Sequence, residues 1–276
     1  MKLVLEACSA SHPAATAGAA PALKKLSLTL ASGEQVAVIG PSGAGKTTLL
    51  QLMACALKPS QGRLQLGDQA PWQLRTAALQ QLRGSLFLAP QVPPLPPRQR
   101  VVTAVLAGRL PGMGLWTSLS SLFYPRDTAL AASALAQFDL AEKLFERVDR
   151  LSGGERQRVG LARLVASNAQ LLLVDEPLSA LDPERARQAL NTLTGVARAR
   201  GATLVATLHH VDMALQHFER IVGLRNGELA FDLPAHQVTP ERLHELYASH
   251  LDELTGPAPE VDLSLAATPP VALQCR

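Results

Sequence analysis

Aromatic side chains are scarce in this chain: 4% of 276 residues, with two tryptophans, two tyrosines and six phenylalanines. A surface that stacks unpaired bases on successive rings needs more of them, which argues against a single-strand nucleic-acid binder. An excess of one charge is also missing. Lys and Arg number 26 against 23 Asp and Glu, a formal net charge of +3, and the basic residues form no block. A dominant phosphate-backbone footprint is therefore absent, and no nucleic-acid partner is expected. The three cysteines, Cys8, Cys55 and Cys275, are odd in number and unpatterned, which implies a reducing compartment without a disulfide framework. No apolar run approaches the ~18–20 residues of a spanning helix. The opening Leu3-Val4-Leu5 stops at Glu6, short of the roughly 7–15 residues in the core of a leader. Residues 1–8 read instead as a strand, and the chain as cytoplasmic.

What remains is a well-supplied core, 47% hydrophobic and 18% charged. That suits one large domain, or a main domain with a small appendage. Strands are expected at 1–8 and 26–30, around a loop of small residues at 9–22, which makes an N-terminal antiparallel β subdomain. The β-branched run 35–39 enters a glycine loop and is followed by a helix at 47–56. A short helix at 72–84 and a strand at 85–88 come next. Pro90, Pro93, Pro94, Pro96 and Pro97 then forbid regular structure, because each fixes φ and removes a donor. Helical patterns cover about 127–147 and 153–167, and 171–174 is a buried strand. A helix at 183–200, a strand at 203–208, a short helix after Asp212 and a strand at 221–224 complete the alternation. The expected fold is α/β, a mainly parallel sheet with flanking helices. The tail after about residue 250 lacks periodicity and reads as mobile.

Gly40-Pro41-Ser42-Gly43-Ala44-Gly45-Lys46-Thr47 fits G-x-x-x-x-G-K-[ST] in full, after an apolar strand and opening a helix. Glycines let successive backbone N–H groups turn inward around an anion, and the helix N-terminus adds its positive dipole end. Lys46 supplies a point charge to the β- and γ-phosphates, and the Thr47 hydroxyl can ligate Mg²⁺. Thr48 completes the phosphate-binding set. The loop resembles the phosphate cradle of a P-loop NTPase. Further on, Leu171-Leu172-Leu173-Val174 ends in Asp175-Glu176. In such a fold that puts Asp175 beside the cradle, where it can hold Mg²⁺ through water, and lets Glu176 act as general base on the attacking water.

A third glycine turn, Leu151-Ser152-Gly153-Gly154-Glu155-Arg156-Gln157-Arg158, places a capping serine and exposed N–H groups at a helix start. Lying between a phosphate loop and an apolar-Asp-Glu strand, it resembles the signature of ABC-type ATPases. The resemblance covers about residues 1–250 and implies one ATP-binding domain over that span, with a helical signature subdomain at about 92–167 and a tail at 251–276. Gln91 resembles the Q-loop glutamine, which contacts Mg²⁺ or the nucleophilic water and begins the segment facing the membrane subunit. Ser179-Ala180-Leu181-Asp182 resembles the D-loop, which puts Asp182 at the nucleotide interface. His209 resembles the switch histidine at the γ-phosphate. By chemistry alone His210 is an equal candidate, and the register of Leu208-His209-His210-Val211-Asp212 favours His209. The family also implies a head-to-tail homodimer with ATP between one phosphate loop and the other subunit's Ser152, Gly153 and Gly154. Hydrolysis then releases the closure. One departure stands out: the 9–22 loop holds no Phe, Tyr or Trp for the adenine, and His12-Pro13 takes roughly the place of the usual Tyr-Pro.

Finer likenesses point to phosphonate importers. They are residues 105–110, 115–119, 208–212 and 221–228, with Phe231-Asp232. The implied partners are integral-membrane permease subunits and, indirectly, a solute-binding protein, with the chain peripheral at the cytoplasmic face of the membrane. Trp116 and Phe123 read either as core or as lining of the permease groove. The proline-rich segment after Gln91 departs from the family pattern at that surface. Rival readings are the same motor with another cargo (phosphite, phosphate, an amino acid), a soluble non-transport ABC ATPase, and a module that binds nucleotide without turnover.

Overall fold

The computed structural model describes residues 1–12, 20–123 and 127–248. The expected tail, 251–276, lies outside them, as do Pro13 and most of the small-residue loop. The chain begins with β1 (Leu3–Ala10) and β2 (Leu23–Leu30), then β3 (Gln35–Ile39) and α1 (Lys46–Met53). β4 (Gln61–Leu66), α2 (Thr76–Arg83) and β5 (Leu86–Ala89) follow, then four helices: α3 (Val101–Leu106), α4 (Leu115–Phe123), α5 (Thr128–Ala136) and α6 (Gly153–Ala166). The rest is β6 (Leu171–Asp175), α7 (Pro183–Arg200), β7 (Thr203–Thr207), α8 (Val211–His217), β8 (Arg220–Arg225), β9 (Glu228–Pro234) and α9 (Pro240–Leu246).

Two sheets result. Six strands run in the order β5-β6-β7-β3-β8-β9, every pair parallel except β8–β9. Three strands form an antiparallel sheet, β2-β1-β4. The parallel strands are apolar on both faces because each face is covered. Val36 and Val38 of β3 join one core cluster, with α1 and the antiparallel sheet, while Ala37 and Ile39 join the other, with α3, α5, α6 and α7. Leu171 and Leu173 of β6 divide from Leu172 and Val174 in the same way. This two-sided alternation fixes strand register, since a slip of one residue would swap every side chain between the clusters.

Several expected bounds change. The pattern at 127–147 stops being α-helical at Ala136. Asp139 adopts φ +52, and the chain goes on in single 3₁₀ turns at Ala141–Lys143 and Val148–Arg150. The helix expected at 72–84 splits into a 3₁₀ turn at Pro71–Gln73 and α2. Five elements were unforeseen: β4, α3, α4, β9 and α9. β4 and β9 are edge strands with mostly exposed or half-buried residues, so their hydrophobic pattern is thin. Trp116 is 84% exposed and not core, and the Phe123 side chain lies outside the described part. Cys8 and Cys55 are free and buried, and burial pushes the Cys55 thiol up to about 11. Among the described residues no helix is long and apolar enough to cross a membrane.

Candidate active site

β3 delivers the chain into the glycine loop, and the loop's shape depends on residues without side chains. Gly40, Gly43 and Gly45 all have positive φ, and a Cβ on Gly40 would lie 2.1 Å from the Leu224 carbonyl oxygen. A Cβ on Gly45 would sit 2.7 Å from the Ala22 carbonyl oxygen. The loop is braced from behind. Gly227 N–H donates to the Ala44 carbonyl (3.0 Å), and Lys24 N–H donates to the Gly227 carbonyl (2.8 Å). α1 starts without a side-chain cap and without an acidic residue in its first turn, and a helix N-terminus of this kind favours an anion. Lys46, only 6% exposed, donates to the carbonyls of Gly40 (2.7 Å) and Pro41 (3.2 Å).

Asp175 ends β6 in the interior, 4% exposed. Burial raises its carboxyl above the ordinary range, and hydrogen bonds from the Thr207 and Thr47 hydroxyls and the Lys46 charge work in the opposite direction. Thr47 and Asp175, assigned to Mg²⁺ from sequence, thus lie near one another. A hydroxyl and a buried carboxylate are hard oxygen donors of the kind Mg²⁺ prefers, with further ligands from water and substrate phosphates. Among the described residues no group of three or more His, Cys, Asp or Glu could hold a metal by itself, so a protein-only cage is not what this site offers.

Glu176 follows in the left-handed region, φ +45. Its two carboxylate oxygens have different partners. Gln91 Nε2 donates to Oε2 at 2.6 Å, and His209 Nε2 is hydrogen-bonded to Oε1. Three residues named from sequence therefore converge on one spot. His210 is exposed at the N-cap position of α8 and makes no side-chain capping bond there, which leaves His209 as the ring in contact. A carboxylate held between an amide and an imidazole can take a proton from a water molecule beside it.

The other expected nucleotide residues lie on different elements. Ser152 caps α6 in a reciprocal box: Glu155 N–H donates to Ser152 Oγ (3.2 Å), and Ser152 N–H donates to Glu155 Oε2 (2.7 Å). The Ser152 N–H holds Glu155 below the usual carboxylate range. A Cβ on Gly154 would come within 2.8 Å of the Ala180 carbonyl, whereas Gly153 faces open space. Asp182 caps α7 by accepting from Arg185 N–H (3.1 Å), which lowers its pKa. His12 is exposed just beyond the end of β1.

Two contributors were missed. Tyr247, directly after α9 and 1% exposed, accepts a hydrogen bond from Gly40 N–H at 3.1 Å. Thr207, fully buried at the end of β7, bonds both Asp175 and the backbone of Glu176. The only signals were a tyrosine at helical spacing and a hydroxyl closing an apolar strand, and neither type of residue is distinctive in sequence.

Comparison with known proteins agrees with this geometry. The ABC transporter family model matches residues 23–179. The chain belongs to the ABC transporter family, as an ATP-binding, ATP-hydrolysing subunit. It is 69% identical, over 100% of both chains, to the phosphonates import ATP-binding protein PhnC of Polaromonas sp.. It is 68% identical, again over 100% of both chains, to PhnC 2 of Albidiferax ferrireducens. Among solved structures, the dimeric bacterial ABC transporter cassette MJ0796 superposes with a TM-score of 0.74 at 25% identity, covering 84% of this chain and 98% of that one.

Proposed function

We propose that this chain powers import of a phosphonate, or a related phosphorus oxyanion, by hydrolysing ATP against a membrane permease. The cargo rests on the full-length likeness to phosphonates import proteins, at 69% and 68% identity. The motor rests on one observation above all: the Gln91–Glu176–His209 contact beside an intact glycine cradle. A module that binds nucleotide without turnover would have no need to hold a carboxylate in that way.

In this reading Gly40, Pro41, Ser42, Gly43, Ala44, Gly45, Lys46, Thr47 and Thr48 bind the phosphates of ATP. Lys46 exchanges its two loop carbonyls for phosphate oxygens, a stronger charge-assisted pairing. Thr47, Asp175 and the Gln91 side chain would hold Mg²⁺, which would offset phosphate charge. Glu176 withdraws a proton from water as that water attacks the terminal phosphorus and the bond from phosphorus to the bridging oxygen breaks, so that ADP leaves, and His209 steadies the developing charge. Ser152, Gly153, Gly154 and Asp182 serve the nucleotide of a second copy across a head-to-tail dimer. The open space at Gly153 leaves its N–H reachable from outside. His12 takes the place of an adenine-stacking ring.

The helical part at about 92–167 forms the permease-facing subdomain of a cassette spanning 1–250. A groove of about 210 Å³ lies behind Gln91, lined by residues such as Leu88, Pro93, Pro94, Gly108 and Pro111. Gly160 is what admits Pro93, since a Cβ there would meet the Pro93 ring at 2.6 Å. A permease loop seated in this groove would place the protein at the cytoplasmic face of the membrane, with the solute-binding protein acting from the far side.

The test is growth on a phosphonate as sole phosphorus source, with the gene present, deleted or carrying Glu176→Gln. Growth only with the intact gene is expected. Equal growth without it would overturn the cargo, and phosphate- or amino-acid-dependent uptake would name the replacement.

A further inference from the structure

We propose that Thr207 is a positioning residue for ATP hydrolysis, its single hydroxyl setting the Asp175 carboxylate and the Glu176 backbone relative to each other. The proposal rests on the roles given above to those two carboxylates.

β6 and β7 end level, with Asp175 paired to Thr207 in the parallel ladder. Between Thr203 and Thr207 the strand is Leu, Val and Ala, and all five residues are buried. A hydroxyl carries one proton and two lone pairs. Here the proton goes to Asp175 Oδ1 at 2.6 Å, and the oxygen accepts the Glu176 N–H at 2.9 Å. The same atom thus fixes the side chain of one residue and the main chain of the next.

The second bond matters most, because Glu176 stands at φ +45. A residue with a Cβ keeps that conformation only when its surroundings over-determine it. The Thr207 oxygen anchors the amide at the start of this turn, and the turn leads to the side chain that meets Gln91 and His209. Valine at 207 would fill nearly the same volume while leaving the Glu176 amide without its partner. Asp175 Oδ1 would lose the hydroxyl that donates to it at 2.6 Å.

The experiment uses the full chain with Thr207→Val, Thr207→Ser, Glu176→Gln and the double variant T207V/E176Q. Readouts are steady-state ATP turnover, affinity for a fluorescent ATP analogue, and thermal unfolding. T207V should lower kcat about 10–100-fold, the scale of a small misplacement of a reacting group, and leave nucleotide affinity within about threefold. T207S should recover at least about half of the lost turnover, because it restores the hydroxyl. In the E176Q background, adding T207V should change the residual turnover less than about twofold, since the effect passes through Glu176. Wild-type kcat in T207V, no rescue by serine, or an undiminished effect in E176Q would each overturn the proposal. Normal turnover in E176Q alone would overturn the assignment of Glu176 itself. If T207V does not yield folded protein, Thr207→Ala, which also lacks the hydroxyl, carries the same comparison.

Discussion

Gln91 and Glu176, separated by 85 positions, are joined by a 2.6 Å hydrogen bond from the Gln91 amide to Glu176 Oε2. The segment that leads toward the groove proposed for the permease therefore ends on the carboxylate proposed as general base. Glu176→Gln removes the base and keeps the volume. Turnover should fall by about 100-fold or more, the usual weight of a general base, with ATP binding intact. Size-exclusion chromatography with Mg-ATP should show the variant held as an ATP-loaded dimer, and near-normal turnover would remove Glu176 from the role.

Lys46 is buried against two loop carbonyls and is the cation placed within the cradle. Lys46→Ala should weaken ATP binding at least tenfold, about 1.4 kcal/mol or more. Titration calorimetry reads this directly, and unchanged affinity would refute the cradle assignment.

Gly40 combines a positive φ with a wall 2.1 Å from where a Cβ would stand. Gly40→Ala should destabilise the fold by about 2 kcal/mol or more, through strain and displacement of the Leu224 backbone. Gly43→Ala meets nothing within 4 Å and should show only the milder effect of its φ. Denaturant unfolding of the two variants side by side makes the comparison.

Glu155 titrates below its ordinary value because it accepts the Ser152 N–H. A depressed carboxyl stabilises the fold wherever it is ionised in both states. The contribution is whole above about pH 4.5 and is lost as pH falls below it toward the folded value. Glu155→Ala should therefore reduce stability near neutrality and flatten the fall in stability below about pH 4.5. Ser152→Ala should cost about 1 kcal/mol by loss of the cap. Thermal unfolding across that pH range checks both.

The cradle, the parallel core and the position of Asp175 were legible because they depend on local pattern: a β-branched run, three glycines, an apolar strand closed by acids. Gln91 and His209 came through family resemblance, since neither carries a local signal. Tyr247 and Thr207 were not legible, because their roles arise from tertiary juxtaposition. Tyr247 reaches Gly40 from 207 positions away. Thr207 acts only because β7 lies beside β6. β4 and β9 were missed for another reason: an edge strand with half its residues in solvent leaves little apolar rhythm to read.

The turn between β8 and β9 also serves the far end of the molecule's chemistry. Asn226 and Gly227 both stand at positive φ; a Cβ on Gly227 would lie 2.4 Å from the Ala22 carbonyl oxygen, and the Gly227 N–H donates to the Ala44 carbonyl. A surface hairpin remote in sequence thus braces the glycine loop proposed to hold the triphosphate. A lesion in that hairpin would present in assays as a failure to grip ATP, and a search confined to the glycine motif would look for its origin in the wrong part of the gene.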